Sequence, residues 1–122
     1  RLADMRSWLL ALALVLSVAC KRNDEAPAAA PSDRPAPIPA TELKRGEDAC
    51  KALIEKACAC TAPAAKDVCT SSKTLPESIE LALDVVSNPD SARRDVLQAQ
   101  DAIRKTMKNC IEQVAKLPTI GC

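Results

Sequence analysis

The sequence contains no histidine, phenylalanine or tyrosine, a single tryptophan, Trp8, and only two glycines. Without histidine there is no imidazole base, so neither a Ser-His nor a Cys-His catalytic pair can form. Gly46 and Gly121 stand far apart, so no glycine-rich loop is available to hold a phosphate. Carboxylates remain, but no pattern of them indicates a substrate cleft. We therefore expect that the protein is not an enzyme.

Nucleic-acid binding uses excess positive charge and aromatic side chains. Both are absent after residue 19. Residues 1–19 carry the only tryptophan together with Arg1, Arg6 and Asp4. From Cys20 onward, 15 lysines and arginines face 15 aspartates and glutamates, so their charges cancel. The composition predicts no nucleic-acid partner.

The start of the chain has the pattern of a secretory signal peptide. Met5 and Arg6 precede an uninterrupted run of apolar and small residues from Ser7 to Ala19. This run is shorter than the ~20 residues that a membrane span needs, and its leucines and alanines on every face argue against a buried core helix. We expect residues 1–19 to be a signal peptide. We also expect translation to start at Met5, with Arg1–Asp4 a misread upstream extension.

The end of the run, LSVAC, resembles the lipobox of bacterial lipoproteins. In that family the cysteine after the cut is joined to diacylglycerol, and its freed amine is then acylated. The resemblance implies that Ala19 precedes the cut, that Cys20 carries lipid, and that this lipid holds the protein on a membrane. Ser17 departs from the usual Leu. Lys21 is not the Asp associated with inner-membrane retention, which favours the outer membrane. The alternative is secretory cleavage ahead of an unmodified Cys20.

The cysteine count is consistent with lipid on Cys20. Seven cysteines is an odd number, which in a secreted protein requires an explanation. Assigning Cys20 to lipid leaves an even set that can pair completely, and disulfides persist in an oxidising envelope. We predict that all six form disulfides: Cys50, Cys58, Cys60, Cys69, Cys110 and Cys122.

Metal binding and thiol redox chemistry are the competing interpretations of these cysteines. Structural zinc sites use repeated Cys-x2–4-Cys pairs, often with histidine, and neither occurs here. A copper(I) thiolate site is conceivable, with Met107 the only thioether after Cys20. A redox pair is typically Cys-x-x-Cys at a helix start, whereas Cys58 and Cys60 enclose one residue near a predicted helix end. We therefore expect no metal and no cofactor.

A proline- and alanine-rich linker is predicted between Cys20 and the folded part of the chain. Residues 21–40 contain five prolines, six alanines and one large apolar residue, Ile38. Such a segment buries too little apolar surface to offset its ordering entropy. We divide the chain into a signal peptide (1–19), a lipid-anchored disordered linker without a partner of its own (20–40) and a cysteine-rich helical domain (41–122).

Apolar residues spaced three, four or seven apart predict that the domain is all-α, a small disulfide-stapled bundle of three or four helices. Thr41 is the expected N-cap of the first helix, and a short second helix should run from Ala64 to Ser71. Thr74 and Glu77 have the spacing of a capping box for the third. A long fourth helix should start after Ser87 or Asn88 and end near Leu117, before Pro118.

Charged residues on the last helix are expected mainly to face solvent. Asp101 with Lys105, and Glu112 with Lys116, are spaced i to i+4 with the acid first, the favourable order. Arg93 and Arg94 lie near the predicted helix start, where the dipole favours anions. They could form a basic contact spot, although a solvated turn is the simpler interpretation.

The pairing of six cysteines allows fifteen arrangements. Because helical residues advance ~100° each, Cys58 and Cys60 should point to different partners. Our hypothesis is Cys60–Cys69, with Cys58–Cys110 and Cys50–Cys122 joining the first helix to an antiparallel last helix. The pattern resembles, in outline only, the helical hairpins of twin Cys-nine-Cys proteins, since Cys50 and Cys60 have that spacing.

The sequence thus predicts a bacterial envelope lipoprotein with a non-catalytic protein-binding or structural module. A thiol-based redox or copper-binding protein is the alternative. A secreted inhibitor or toxin-like module is a third, and would require that Cys20 carry no lipid. The number of free thiols separates the first two hypotheses.

Overall fold

The computed structural model describes residues 33–122; residues 1–32, with the predicted signal peptide and Cys20, lie outside the described part. Four α-helices lie within residues 40–116: α1 (Ala40–Ala59), α2 (Pro63–Ser72), α3 (Leu75–Ser87) and α4 (Arg93–Lys116). A short 3-10 helix, Leu117–Ile120, follows α4. Residues 33–122 contain no strand. The predicted all-α, disulfide-stapled bundle is confirmed.

The core consists of aliphatic side chains, one thioether and one disulfide. Its buried members come from α1, α3, α4 and the 3-10 helix: Cys50, Leu53, Ala57, Ile79, Ile103, Met107, Cys110 and Leu117. Burying a leucine or isoleucine contributes about 1.5–3 kcal/mol. So few large side chains make a small core, which explains why cross-links matter in this domain.

Helices α1 and α4 pack side by side and run parallel. Arg104 contacts Glu42, 62 residues earlier in the chain, and Cys110 bonds to Cys50, 60 residues earlier. The contact from the earlier residue of α1 reaches the earlier residue of α4, and the contact from the later residue reaches the later one, so the two helices run in the same direction. The prediction of an antiparallel pair is wrong, because α2 and α3 between them return the chain to the end of the bundle where α1 begins.

Helix boundaries differ from the predicted ones where capping chemistry was misjudged. Pro39, not Thr41, is the N-cap of α1. Thr74 occupies the N-cap of α3, but its hydroxyl donates to the Ser71 carbonyl, so no capping box forms. Helix α3 continues through Ser87, and a turn in which the Asn88 side chain accepts from the Asp90 N–H delays α4 until Arg93.

An extended segment, residues 33–39, precedes α1 and lies against the helices. The Gln100 side-chain amide donates to the Ala36 carbonyl at 2.8 Å. Ile38 packs against the core cluster. The last residues of the predicted linker therefore contact the helical bundle, because the one large apolar residue of that region finds a place to bury.

Candidate functional site

The six cysteines of residues 33–122 form three disulfides: Cys50–Cys110, Cys58–Cys69 and Cys60–Cys122. The prediction that these residues pair with one another is confirmed. The three predicted pairs are wrong: Cys60–Cys69, Cys58–Cys110 and Cys50–Cys122. Each predicted bond to α4 or the C-terminus assumed antiparallel helices, and the parallel arrangement places Cys110 beside Cys50 instead.

Cys58 and Cys60 do point to different partners, as their spacing predicts. Cys58 lies in the last turn of α1 and bonds to Cys69 of α2. Cys60 follows the end of α1 and bonds to the C-terminal Cys122. Gly121 has a φ of 95°, a left-handed conformation that glycine adopts without strain. This conformation turns the chain so that Cys122 reaches Cys60.

The three disulfides differ in their access to solvent. Cys50 and Cys110 are 1% and 0% exposed, so their bond lies inside the core. Cys58 and Cys122 are exposed, and Cys69 and Cys60 are half-buried. Closing loops of 60, 11 and 62 residues stabilises the domain by about 4, 3 and 4 kcal/mol in the chain-entropy description.

Arg34 joins the extended segment to the end of α3. Its guanidinium donates to the carbonyls of Val86, Asn88 (2.9 Å) and Pro89. The last carbonyls of a helix have no partner within the helix, and its negative dipole end favours a cation. Helix α3 has no basic residue in its own last turn. Arg34 supplies the missing cation from another part of the chain.

A groove of about 310 Å³ lies between α1 and α4, and we call it the α1–α4 groove. Its lining includes Gly46, Met107 and Ile111. The other lining residues are charged: Glu42, Arg45, Arg104, Lys108 and Glu112. Arg104 pairs with Glu42 at 2.9 Å and Lys108 with Glu112 at 3.8 Å. Arg45 makes no ion pair within residues 33–122.

The solvent-facing surface of α3 is acidic and partly apolar, and we call it the α3 ridge. It comprises Glu77, Leu81, Asp84 and Val85. Leu81 is 62% exposed, the most exposed large hydrophobic side chain of residues 33–122. No lysine or arginine occurs in α3. The ridge thus combines negative charge with apolar surface that the described part of the chain does not cover.

Ion pairs elsewhere lie on the surface. The predicted Asp101–Lys105 pair forms at 2.7 Å, and its hydrogen bond raises the pKa of Lys105. Glu112 contacts Lys108 rather than the predicted Lys116. The hydrogen bond between Lys44 and Asp48, at 2.8 Å, raises the lysine pKa and lowers that of the carboxyl. Exposed pairs of this kind contribute little to stability.

Arg93 and Arg94 do not form a joint basic spot. The Arg93 guanidinium lies 4.0 Å from the Asp33 carboxylate of the extended segment. The Arg94 guanidinium lies 3.9 Å from its neighbour Asp95. Carboxylates thus accompany both cations, an arrangement typical of a solvated turn.

Residues 33–122 contain neither a cluster of metal-ligating side chains nor a helix that could span a membrane. No three side chains among the cysteines and carboxylates of this part of the chain are grouped as metal ligands. None of its helices combines the length and the hydropathy that crossing a bilayer requires. Comparison with protein-family models, with curated proteins and with solved structures found no match to this chain.

Proposed function

We propose that this chain is a bacterial envelope lipoprotein whose folded part is a non-catalytic module for protein binding or structural support. The lipobox-like LSVAC at residues 16–20 carries the proposal. Lipid on Cys20 holds the protein on a membrane, and Lys21 favours the outer one. The role needs neither a metal nor another cofactor.

The disulfides support the assignment of Cys20. The three bonds use all six cysteines of residues 33–122. Cys20 is the one remaining cysteine of the seven in the sequence, and no cysteine of the domain is left to pair with it. Lipidation accounts for that odd thiol, and an exported location accounts for the disulfides.

The docked extended segment sets how far the domain can extend from the membrane. Because Arg34 and Ala36 contact the helices, only residues 21–32 separate Cys20 from the bundle. At ~3.1 Å per residue these twelve residues reach about 40 Å, less than the ~60 Å of a free linker of twenty residues. The module thus acts near the lipid surface.

The surfaces of the module support binding rather than catalysis. The α1–α4 groove is open and lined by paired charges, with Arg45 the exception. The α3 ridge presents Leu81 and Val85 to solvent. Exposed apolar side chains beside charges are typical of protein contact surfaces. A thiol-based redox or copper-binding role is the alternative, and it requires that some of the six cysteines be reduced in the cell.

Labelling with a fatty acid tests the proposal. Cells that express the full chain are grown with an alkyne-bearing fatty acid, and the protein is examined for label and for its membrane fraction. We expect label on the wild type and none on Cys20→Ser, with the wild type in the outer membrane. Lys21→Asp should keep the label and move the protein to the inner membrane. An unlabelled wild type in the soluble fraction would contradict the proposal.

A further inference from the structure

Two surfaces on opposite sides of the bundle have complementary chemistry. On α1, Glu47 and Lys51 border a small cavity against Pro76 and Ile79 of α3. Arg45 instead lines the α1–α4 groove. Arg45 and Glu47 point ~200° apart on the helix, so the groove faces away from α3. The groove and the α3 ridge of one molecule therefore do not meet.

The charges of the two surfaces are opposite. The ridge carries Glu77 and Asp84, with Glu80 beside them, and none of the three makes an ion pair within residues 33–122. The groove carries three cations and two carboxylates, and the two carboxylates already contact Arg104 and Lys108. The charges without an ion-pair partner in residues 33–122 are therefore negative on the ridge. In the groove the charge without such a partner is positive and lies on Arg45.

The apolar residues of the two surfaces also match in shape, because those of the ridge project and those of the groove line a depression. Leu81 projects from the middle of the ridge and is 62% exposed. The groove lies where α1 and α4 approach closely at Gly46, and its apolar lining includes Met107 and the 37%-exposed Ile111. Its volume of about 310 Å³ is at the lower end of pockets that accept a small ligand or a side chain.

We propose that the α1–α4 groove binds the α3 ridge of a second copy of this chain. Leu81 enters the groove over Met107 and Ile111, and Glu77 and Asp84 approach Arg45 and Lys108. Because the two surfaces differ, the contact is heterologous and repeats from head to tail. The inference does not require lipid on Cys20. On a shared membrane, however, tethering raises the effective concentration and strengthens such a weak contact.

Cross-linking of mixed isotopes tests the contact directly. The full chain is purified in its oxidised form in detergent, at no more than one chain per micelle, from unlabelled and from 15N-labelled cells. The mixture is treated with a carbodiimide, which joins a carboxylate to a lysine amine. We expect Glu77–Lys108 or Asp84–Lys108 peptides with one partner labelled and one unlabelled. If intermolecular cross-links avoid both the ridge and the groove, the proposal is wrong.

Substitutions of exposed leucines provide a matched comparison. Leu81→Lys should lower the yield of the cross-link about tenfold, as expected for a central apolar contact. Leu97→Lys is the control, since Leu97 is 46% exposed but belongs to neither surface. An equal loss for both variants would overturn the proposal.

Charge-reversed variants test the head-to-tail geometry. Glu77→Lys/Asp84→Lys makes the ridge positive and leaves the groove unchanged, and Arg45→Glu/Lys108→Glu makes the groove negative and leaves the ridge unchanged. All four residues are exposed, so the variants should fold. Each variant alone should sediment as a monomer, because its ridge and its groove carry charge of the same sign. Their mixture should associate in alternation, because the ridge of each variant is opposite in charge to the groove of the other. Association of either variant alone, or no association in the mixture, would show that the groove binds something else or that the surfaces are unpartnered.

Discussion

Gly46 of α1 lies directly against Met107 of α4. A Cβ atom built on Gly46 would come 2.0 Å from the Met107 Sδ and 2.6 Å from its Cβ. A flexible side-chain tip could move away, but a Cβ moves only with its helix. The absence of a side chain at position 46 therefore sets how closely the two parallel helices approach, one turn before the Cys50–Cys110 bond.

Gly46→Ala should consequently destabilise the domain, although alanine is the better helix former. The propensity gain is about 1 kcal/mol, whereas overpacking at a helix contact costs about 1–3 kcal/mol. We expect a net loss of about 1 kcal/mol, measured by thermal unfolding of the oxidised protein, where it would lower Tm by about 4–8 °C. Gly46→Ala in a Met107→Ala background should be less harmful than in the wild type. Stabilisation by Gly46→Ala alone would show that the helices are not in close contact there.

Removing the buried disulfide should cost more than removing an exposed one. Cys50→Ala/Cys110→Ala loses about 4 kcal/mol of loop constraint and part of the core packing, whereas Cys58→Ala/Cys69→Ala loses about 3 kcal/mol. Unfolding in urea gives both values. An equal or smaller loss for Cys50→Ala/Cys110→Ala would contradict both the larger loop constraint and the core packing of this bond.

Reduction under native conditions should follow solvent exposure. A small thiol reductant should open Cys58–Cys69 and Cys60–Cys122 first, and Cys50–Cys110 only once the domain unfolds, because neither of its sulfurs is accessible. Timed alkylation and peptide mass mapping would give the order. Early alkylation of Cys50 in folded protein would contradict the buried position of this bond.

Arg34→Ala should release the extended segment. The carbonyls at the end of α3 would lose their cation, and the backbone amides of the last turn of α3 should exchange hydrogen faster, as measured by mass spectrometry. Arg94→Ala is the control, because within residues 33–122 the one ion pair of Arg94 is with its neighbour Asp95. If both variants exchange like the wild type, Arg34 does not hold the segment.

The helix pattern of the sequence was sufficient to predict an all-α bundle, and the cysteine count was sufficient to predict that its six cysteines form disulfides. Neither could give the direction of the last helix, since the helix pattern is the same whether α4 runs parallel or antiparallel to α1. The two predicted bonds to Cys110 and Cys122 depend on that direction. The predicted Cys60–Cys69 bond was wrong because the spacing separates Cys58 from Cys60 without showing which of the two faces α2.

The contacts of Arg34 were also beyond prediction. A segment rich in proline and alanine has the composition of a free linker, and its contacts depend on helix ends 52 to 55 residues away. The one available sign was Ile38, the single large apolar residue of that region. The groove likewise could not be found from the sequence, because its lining comes from two helices about 60 residues apart whose relative direction the sequence does not give.

The most direct test of the stapled lipoprotein is the intact mass of the protein purified from the envelope, with thiols alkylated before and after reduction. We predict no alkylation before reduction, six alkylations after it, and the mass of a chain that begins at an acylated Cys20. Two or more thiols alkylated before reduction, or a mature chain without lipid, would contradict this account and direct attention to copper binding and thiol exchange.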